Sequence, residues 1–230
     1  MNALILAGGL GTRLGALTQE IPKVMLPIKK KPLIDILIRK LLDLNFDKII
    51  INTYYRSEVI QAYLQSQDYY SKILLAPETY LLGTAGTLKK NISDLADDDF
   101  LVMHGDNYFT DDLHEFMRFH KLDSTNSLMT MAIFESPTPE LCGVVEIDKN
   151  SLVTNFHEKT HNPPTNLANA AIYMFKKECV SVILNLDKDE TDISLHLLPK
   201  LVGQSRAFKL GGYFVDIGTP DRYNSVKTLM

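Results

Sequence analysis

Cysteine is scarce in this chain of 230 residues, which contains only Cys142 and Cys179. The two cysteines are far apart and form no C-x-x-C pair, so neither a disulfide framework nor a cysteine-ligated metal is indicated. We expect two free thiols, buried or half-buried, in a protein of a reducing compartment.

Long apolar runs and an excess of positive charge are also missing. No stretch approaches the roughly 18 apolar residues that a transmembrane helix needs, and the apolar start at 3–7 is too short for a secretory leader. The formal net charge of −4 creates no general attraction to nucleic acid or to an anionic membrane. These absences predict a cytoplasmic protein without nucleic-acid or membrane partners, in which any anion site is a local cluster.

The first half of the chain alternates short aliphatic runs with helical patterns. The aliphatic runs occupy 3–7, 48–52, 72–76 and 100–104. Apolar residues three and four positions apart over 33–42 predict an amphipathic helix. Weaker patterns predict further helices at 57–66, 84–95 and 111–121. Buried strands separated by helices are typical of a parallel sheet that is covered on both faces.

From about residue 127 the predicted strands follow one another more quickly. They occupy 127–134, 142–148, 152–159 and 169–176, with a hairpin turn at 148–151. Helical patterns return at 176–186 and 191–201, and a strand at 212–216 leads into a helix capped by Thr219 with Pro220 in its first position. We predict one α/β domain over residues 1–230, a Rossmann-like three-layer sandwich with a mixed, mostly parallel central sheet.

Residues 157–161 read H-E-x-x-H, the pattern of zinc proteases. The pattern arises by chance in roughly 0.7% of shuffled sequences of this composition. Zinc binding requires a helix, because only there do the two histidines share one face. Pro163 and Pro164 prevent that helix from continuing, and on a strand His157 and His161 would lie about 13 Å apart. We therefore interpret both histidines as loop residues that face solvent or substrate.

A stronger signal lies at the N-terminus, where a buried strand runs directly into "AGGLGTRL". Gly8, Gly9 and Gly11 allow a tight turn whose N–H groups can approach a phosphate. Arg13 adds a forked cationic donor for phosphate oxygens. The pattern G-G-x-G-T-R is about a hundredfold rarer by chance than H-E-x-x-H. It is neither a P-loop nor G-x-G-x-x-G, since no Gly-Lys-Ser/Thr follows and Leu14 replaces the last glycine. A plain glycine-rich turn is the alternative.

With Lys23 ten residues after Arg13, this stretch resembles the sugar-1-phosphate nucleotidyltransferases, also called nucleotide-sugar pyrophosphorylases. Further stretches resemble that family in the family's own order: "PETYLLGTAGTL", "MHGDNYF", "CGVVEID", "FHEK", "NAAIYMF" and "FVDIGTPDRY". The resemblance covers nearly the whole chain, and "LGTAG" and "CGVV" are most similar to the branch that uses GTP with mannose-like or heptose 1-phosphates. Ala16, Val24 and Thr160 replace prolines usual in the family, and Ala171 replaces a glycine.

The resemblance implies an enzyme that joins a nucleoside triphosphate, with GTP favoured, to a sugar 1-phosphate and releases pyrophosphate. It implies that Arg13 holds the departing phosphates, that Lys23 neutralises the phosphates around the reacting phosphorus, and that Asp106 and Asp216 bind Mg²⁺. The implied nucleotide-binding residues are Leu6, Ala7, Gly8, Gly9, Gly11, Thr12, Arg13, Gly83 and Thr84. The implied sugar-phosphate contacts are Gly143, Glu158, Lys159 and Asn169. The nucleotide half would span about 1–125 and the sugar half about 126–230.

Several other functions stay open at this point. One is an enzyme that uses UTP, CTP or dTTP with glucose 1-phosphate. Another is a catalytically silent regulatory relative, although such a protein should have lost the glycines, the arginine or the aspartates. A third is the molybdopterin or phosphocholine branch of the same fold, in which the Glu-Lys pair need not be present. The oligomeric state, a homo-oligomer included, is not readable from the sequence.

Overall fold

The computed structural model describes residues 1–123 and 125–227, and within them it contains thirteen strands and seven α-helices. The strands are β1 (Asn2–Leu6), β2 (Pro27–Ile28), β3 (Lys31–Pro32), β4 (Lys48–Thr53), β5 (Ile73–Pro77), β6 (Phe100–His104), β7 (Asn107–Phe109), β8 (Met129–Glu135), β9 (Gly143–Ile147), β10 (Val153–Glu158), β11 (Leu167–Phe175), β12 (Ser205–Lys209) and β13 (Phe214–Asp216). The α-helices are α1 (Leu33–Asp43), α2 (Ser57–Gln65), α3 (Gly83–Lys90), α4 (Ile92–Leu95), α5 (His114–Lys121), α6 (Val180–Leu184) and α7 (Pro220–Lys227).

Nine of the described strands form one mixed sheet. Seven follow the order β10-β9-β11-β6-β1-β4-β5, while β8 lies beside β11 and β12 lies beside β8. Strands β6, β1, β4 and β5 are parallel to one another, and β11 runs antiparallel to β6. The predicted α/β fold with a mixed sheet is confirmed. The carboxyl ends of the four parallel strands meet at one edge, which is where open α/β sheets bind ligands.

The sheet is covered on both faces because its central strands are apolar along their length, with polar residues only at their ends. Ala3 and Ile5 of β1 face a core that contains α1, whereas Leu4 faces a second core that contains α3. Strand β6 divides in the same way, and its side chains from Phe100 to Met103 are fully buried. Each buried leucine or isoleucine stabilises the fold by about 1.5–3 kcal/mol relative to an exposed one. These two cores hold the strand ends rigidly in place.

Several elements differ from the sequence prediction. The pattern at 84–95 divides into α3 and α4, and 191–201 forms a π-helical turn at Ile193–Leu197 followed by a 3₁₀ turn at Leu198–Leu201. Helix α5 begins three residues later than predicted. The Asp111 carboxylate does not cap the helix, because it accepts hydrogen bonds from the N–H groups of Gly211 and Gly212. Strands β7 and β12 were not predicted, since distant partners define them. The β2–β3 pair was not predicted either, because each of its strands has only two residues.

The last helix and the two cysteines agree with prediction. Helix α7 begins at Pro220, and the Thr219 hydroxyl accepts a hydrogen bond from the Arg222 N–H at 3.4 Å. The predicted continuation of this helix beyond residue 227 lies outside the described residues. Cys142 is half-buried and Cys179 is buried, and both are free thiols. Across 1–123 and 125–227, no helix is long and apolar enough to cross a bilayer.

Candidate active site

A cavity of about 260 Å³ opens at the carboxyl ends of β1, β4, β5 and β6. It lies where the predicted glycine-rich loop leaves β1, and the start of α3 closes its opposite side. Its lining residues are Leu6, Ala7, Gly8, Gly9, Lys23, Val24, Asn52, Glu78, Leu81, Gly83, Thr84, Thr87, His104 and Asp106. Six residues predicted to bind nucleotide therefore share this cavity, together with Lys23 and Asp106.

Asn52 holds the glycine-rich loop against the sheet. Its side-chain oxygen accepts a hydrogen bond from the Ala7 N–H at 2.7 Å, and its amide donates to Glu78 Oε1 at 3.1 Å. Within the loop, Gly11 takes a left-handed conformation with φ 67°, and its carbonyl accepts a hydrogen bond from the Thr18 hydroxyl at 2.9 Å. Gly8 and Gly9 line the cavity, and a glycine-rich turn in this position lets a phosphate approach the backbone closely.

Lys23, Asp106 and Asp216 form one charged cluster at the mouth of this cavity. The Lys23 Nζ atom lies 2.5 Å from Asp106 Oδ2 and 3.1 Å from Asp216 Oδ1. Asp106 follows β6 in the turn to β7, and Asp216 ends β13, which pairs with β7. Burial raises the pKa of Asp106, but the charge and hydrogen bond of Lys23, together with nearby His104 and a backbone hydrogen bond, hold the pKa below its usual value. The lowered pKa keeps the Asp106 carboxylate ionised beside the Lys23 ammonium at neutral pH.

The two aspartates suit a magnesium ion. Their oxygens lie within hydrogen-bond distance of a single nitrogen atom, which is the kind of separation that two ligands of one cation have. Mg²⁺ commonly takes one or two protein carboxylates and completes its shell with phosphates and water. No group of three or more His, Cys, Asp or Glu side chains arranged to hold a metal occurs among residues 1–123 and 125–227. Two carboxylates alone therefore suit a Mg²⁺ ion whose remaining ligands are the phosphates of a bound nucleotide and water.

A buried carboxylate, Glu78, lies at the other end of the cavity. Its side chain accepts hydrogen bonds from Asn52 Nδ2, from the Thr87 hydroxyl at 2.5 Å and from the Leu82 N–H at 3.4 Å. The whole residue is only 8% exposed. Oε1 accepts the two short bonds, whereas Oε2 accepts only the long one. These hydrogen bonds fix the Glu78 carboxyl group as a hydrogen-bond acceptor at this end of the cavity.

Gly83 and Thr84 begin α3 and are held by the segment before the π-helical turn. The Thr84 hydroxyl accepts a hydrogen bond from the Ile193 N–H at 2.7 Å, and the Ala85 N–H donates to the Thr191 carbonyl at 2.8 Å. Thr84 also contacts Asp192. This bracing places both predicted residues on the cavity wall.

The predicted sugar-side residues gather beside a bulge in β11. Glu158 pairs with Gly143 across β10 and β9, and the Lys159 Nζ atom lies 3.4 Å from Glu158 Oε1. Asn169 donates to the Tyr173 hydroxyl at 2.8 Å and accepts from the Ala171 N–H at 2.9 Å. Ala171 is left-handed with φ 50°, a conformation that favours glycine.

One hydrogen bond from a side chain to the backbone joins this sugar-side group to the charged cluster. Asn107 follows Asp106 directly, and its side-chain amide donates to the Ala170 carbonyl at 2.9 Å. The bond ties the bulge of β11 to the turn that carries Asp106, although none of the four predicted sugar-side residues lines the cavity itself.

Three predicted residues, Gly11, Thr12 and Arg13, lie outside the cavity wall. The guanidinium of Arg13 is nevertheless close to the charged cluster. A Cβ atom added at Gly218 would lie 2.9 Å from both Arg13 Nη2 and Asp216 Oδ1. Arg222 also reaches Asp216, at 3.4 Å. Two guanidinium groups therefore flank the mouth on the Asp216 side, and the sequence predicted only the first.

The H-E-x-x-H stretch does not form the helix that its zinc interpretation requires. His157 and Glu158 end β10, and the His157 ring bonds Glu146 Oε1 at 2.8 Å. His161 lies in the following bend and is exposed. The predicted strand is confirmed up to Glu158 but ends before Lys159. The interpretation of His157 as a loop residue is wrong, because it lies in β10, whereas His161 does lie in a loop.

Sequence reasoning missed Asn52, Glu78, Thr87 and His104. Each was part of a recognised element: Asn52 and His104 stand at the carboxyl ends of predicted strands, and Glu78 and Thr87 lie inside the "PETYLLGTAGTL" stretch. A polar residue at the end of an otherwise apolar parallel strand is a usable signal, because that edge of the sheet faces the ligand crevice. Nothing local indicated that the four share one cavity.

Comparison with known proteins agrees with this geometry. The chain matches the family described as Nucleotidyl transferase over residues 2–229. It is 34% identical to the Bifunctional protein GlmU of Methanocaldococcus jannaschii over 96% of this chain and 52% of that protein, so it spans about half the length of that relative.

Two further relatives match along their whole lengths. The D-glycero-alpha-D-manno-heptose 1-phosphate guanylyltransferase of Campylobacter jejuni is 31% identical, with 97% of each chain covered. The solved structure of HddC from Yersinia pseudotuberculosis, complexed with GMP-PN, superposes with a TM-score of 0.79 at 30% identity and covers 99% of this chain and 98% of that one. With its glycine-rich loop, paired aspartates and mixed sheet, the chain belongs to the nucleotidyl transferase family.

Proposed function

We propose that this protein transfers a nucleotidyl group from GTP to a mannose- or heptose-like sugar 1-phosphate and releases pyrophosphate. The observation that carries the proposal is the cavity itself, which has a buried acceptor at one end and the Lys23–Asp106–Asp216 cluster at the other. A nucleotide has the matching polarity, with hydrogen-bond donors on its base and anionic phosphates at the opposite end. Residues 1–125 would then hold the nucleotide and residues 126–230 the sugar.

The choice of guanine rests on Glu78. Guanine presents two neighbouring donors, N1–H and the N2 amino group, to a single acceptor, and a carboxylate can accept from both. Uracil presents only one N–H, and adenine presents no such pair. A relative named UTP–glucose-1-phosphate uridylyltransferase also matches this chain, so a UTP-dependent enzyme is the alternative.

Positioning and charge neutralisation account for the chemistry that these residues perform. The sugar phosphate oxygen attacks the α-phosphorus in line as pyrophosphate leaves on the opposite side. Lys23 neutralises the phosphates around the α-phosphorus, and Arg13 holds the departing phosphates. Asp106 and Asp216 would hold Mg²⁺, which when bound neutralises phosphate charge and orients the phosphate oxygens.

The sugar 1-phosphate is assigned to the group around β11. Glu158 accepts hydrogen bonds from sugar hydroxyls and Lys159 binds the phosphate, with Asn169 and Gly143 as further contacts. Lys159 suits this role because its side chain is 67% exposed and can therefore move onto an incoming phosphate.

A pyrophosphate-release assay tests the proposal by crossing the four common ribonucleoside triphosphates with a panel of sugar 1-phosphates. We expect the highest kcat/KM with GTP. Glu78→Gln should lower kcat/KM for GTP by about tenfold to a hundredfold, because a charged hydrogen bond is worth about 1.5–3 kcal/mol, and should change kcat/KM for UTP little. Glu135→Gln, at an exposed carboxylate that pairs with Lys209, is the matched control. Equal losses with every base would contradict the role of Glu78, and no turnover with any pair would contradict the function.

A further inference from the structure

His104 is a polar cavity residue for which the proposed mechanism has no use. It is the last residue of β6, pairs with Leu6 of β1 and lines the cavity. Its Nε2 atom is enclosed and has no hydrogen-bond partner among the described residues. Most buried polar atoms in proteins are paired, so an unpartnered ring nitrogen on a cavity wall indicates a bound group that completes it.

The other polar side chains of the lining are already engaged. Asn52 and Thr87 bond Glu78, Thr84 bonds the backbone of Ile193, and Lys23 bonds the two aspartates. Among the lining residues that the structure describes, His104 is therefore the polar side chain whose hydrogen-bonding capacity is unused. The χ2 angle of histidine is broad, so a modest ring rotation lets a ring nitrogen meet a ligand atom.

The position of His104 identifies the part of the nucleotide that it meets. The strand order β5-β4-β1-β6 and a spacing of about 4.8 Å between neighbours place the carboxyl ends of β5 and β6 about 14 Å apart. Glu78 follows β5 and marks the base end, whereas Asp106 follows β6 and marks the phosphate end. His104 precedes Asp106 by two residues and is the last residue of β6, so it lies between the sheet and the turn that carries Asp106. The ribose connects base and phosphates and therefore passes over this part of the wall.

We propose that His104 is a specificity-determining residue that hydrogen-bonds a ribose hydroxyl of the nucleoside triphosphate. The inference rests on the proposed function but not on the identity of the base. This hydrogen bond makes the enzyme selective for ribonucleotides. A deoxynucleotide that lacks the bonded hydroxyl leaves the His104 ring nitrogen without a partner and so binds less tightly.

The test compares GTP, 2′-deoxy-GTP and 3′-deoxy-GTP as substrates in pyrophosphate release at a fixed sugar 1-phosphate. His104→Leu should lower kcat/KM for GTP by about tenfold or more, the effect of one lost hydrogen bond that leaves its partner unsatisfied. It should leave kcat/KM unchanged for the analogue that lacks the partner hydroxyl, and thereby identify that hydroxyl. His104→Asn, which can still donate and accept, should recover part of the selectivity.

His114→Leu serves as the control, because His114 is an exposed histidine at the start of α5 and does not line the cavity. Equal losses of kcat/KM for all three triphosphates in both His104 variants would overturn the inference and leave His104 as a wall residue. So would a wild-type enzyme that accepts all three equally. If UTP is the better substrate, UTP and its deoxy forms replace the guanine series. Turnover with an unchanged ribo-to-deoxy ratio contradicts the role of His104 alone, whereas no turnover with any triphosphate overturns the proposed function as well.

Discussion

Replacing Lys23 by methionine removes the cation that holds Asp106 and Asp216 together. The Lys23 side chain is 9% exposed, and its Nζ atom contacts both carboxylates. Methionine keeps most of the side-chain volume, so packing against the neighbouring core changes little. The variant therefore isolates the charge, and its first consequence is repulsion between two carboxylates that have lost the cation lying between them.

The size of this effect follows from burial. Removing one partner of a buried ion pair costs about 3–5 kcal/mol. The Asp106 and Asp216 side chains are 30% and 31% exposed, so water compensates part of the loss. We expect Lys23→Met to lower the free energy of unfolding by about 1–3 kcal/mol. For a chain of this length that corresponds to a fall in Tm of about 3–10 °C.

Thermal denaturation with and without Mg²⁺ measures the effect. Mg²⁺ should raise the Tm of Lys23→Met more than that of the wild type, because it binds the folded state and meets no competing ammonium. Pyrophosphate release should nevertheless fall by about a hundredfold or more, since the charge that neutralises the reacting phosphate is lost. Lys89→Met is the control, because Lys89 donates to the Leu186 carbonyl away from the charged cluster.

Two results would refute this reasoning. A Lys23→Met protein as stable as the wild type without Mg²⁺ would show that the ammonium does not hold the carboxylates together. Stabilisation by Mg²⁺ that is equal in both proteins would show that the two aspartates do not form the metal site.

Two further predictions concern stability. The Asp123 side chain is buried, and although burial raises its pKa, hydrogen bonds from Ser127 and Thr125 and the Lys176 charge lower the pKa below the usual value. A carboxylate whose pKa is lower in the folded state stabilises the protein fully above the unfolded-state pKa near 4. That stabilisation is lost as the pH falls from there through the folded-state pKa. Asp123→Asn should therefore cost about 2 kcal/mol at pH 7 and less at pH 3 by urea denaturation; an equal cost at both would contradict this. Gly83 has φ 74°, and a Cβ there would lie 2.4 Å from the Thr191 carbonyl oxygen. Gly83→Ala should lower stability by about 2 kcal/mol or more and weaken nucleotide binding, whereas Gly203→Ala, with φ 77° and open space around it, should cost less; equal costs would exclude the clash.

Local sequence patterns were sufficient for the elements whose reasons are local. The apolar spacing in α1 and the continuous apolar runs of β1, β4 and β6 predict those elements almost to the residue, because burial against a core requires that pattern. The glycine-rich loop and the cap of α7 are equally local. Strands β7 and β12 were missed because they exist through pairing with β13 and β8, which lie about 75 residues or more away in the chain.

The sequence by itself determined the fold class, the family resemblance and most residue types of the candidate site. Tertiary structure alone decided their arrangement. It placed Lys23 between two aspartates that follow it by 83 and 193 positions. It placed Arg13 outside the cavity lining, near Asp216. It also joined Asn52, Glu78, Thr87 and His104 into one wall. The physical reason is that a cavity at the carboxyl ends of parallel strands is assembled by strand order, which brings together residues that share no local pattern.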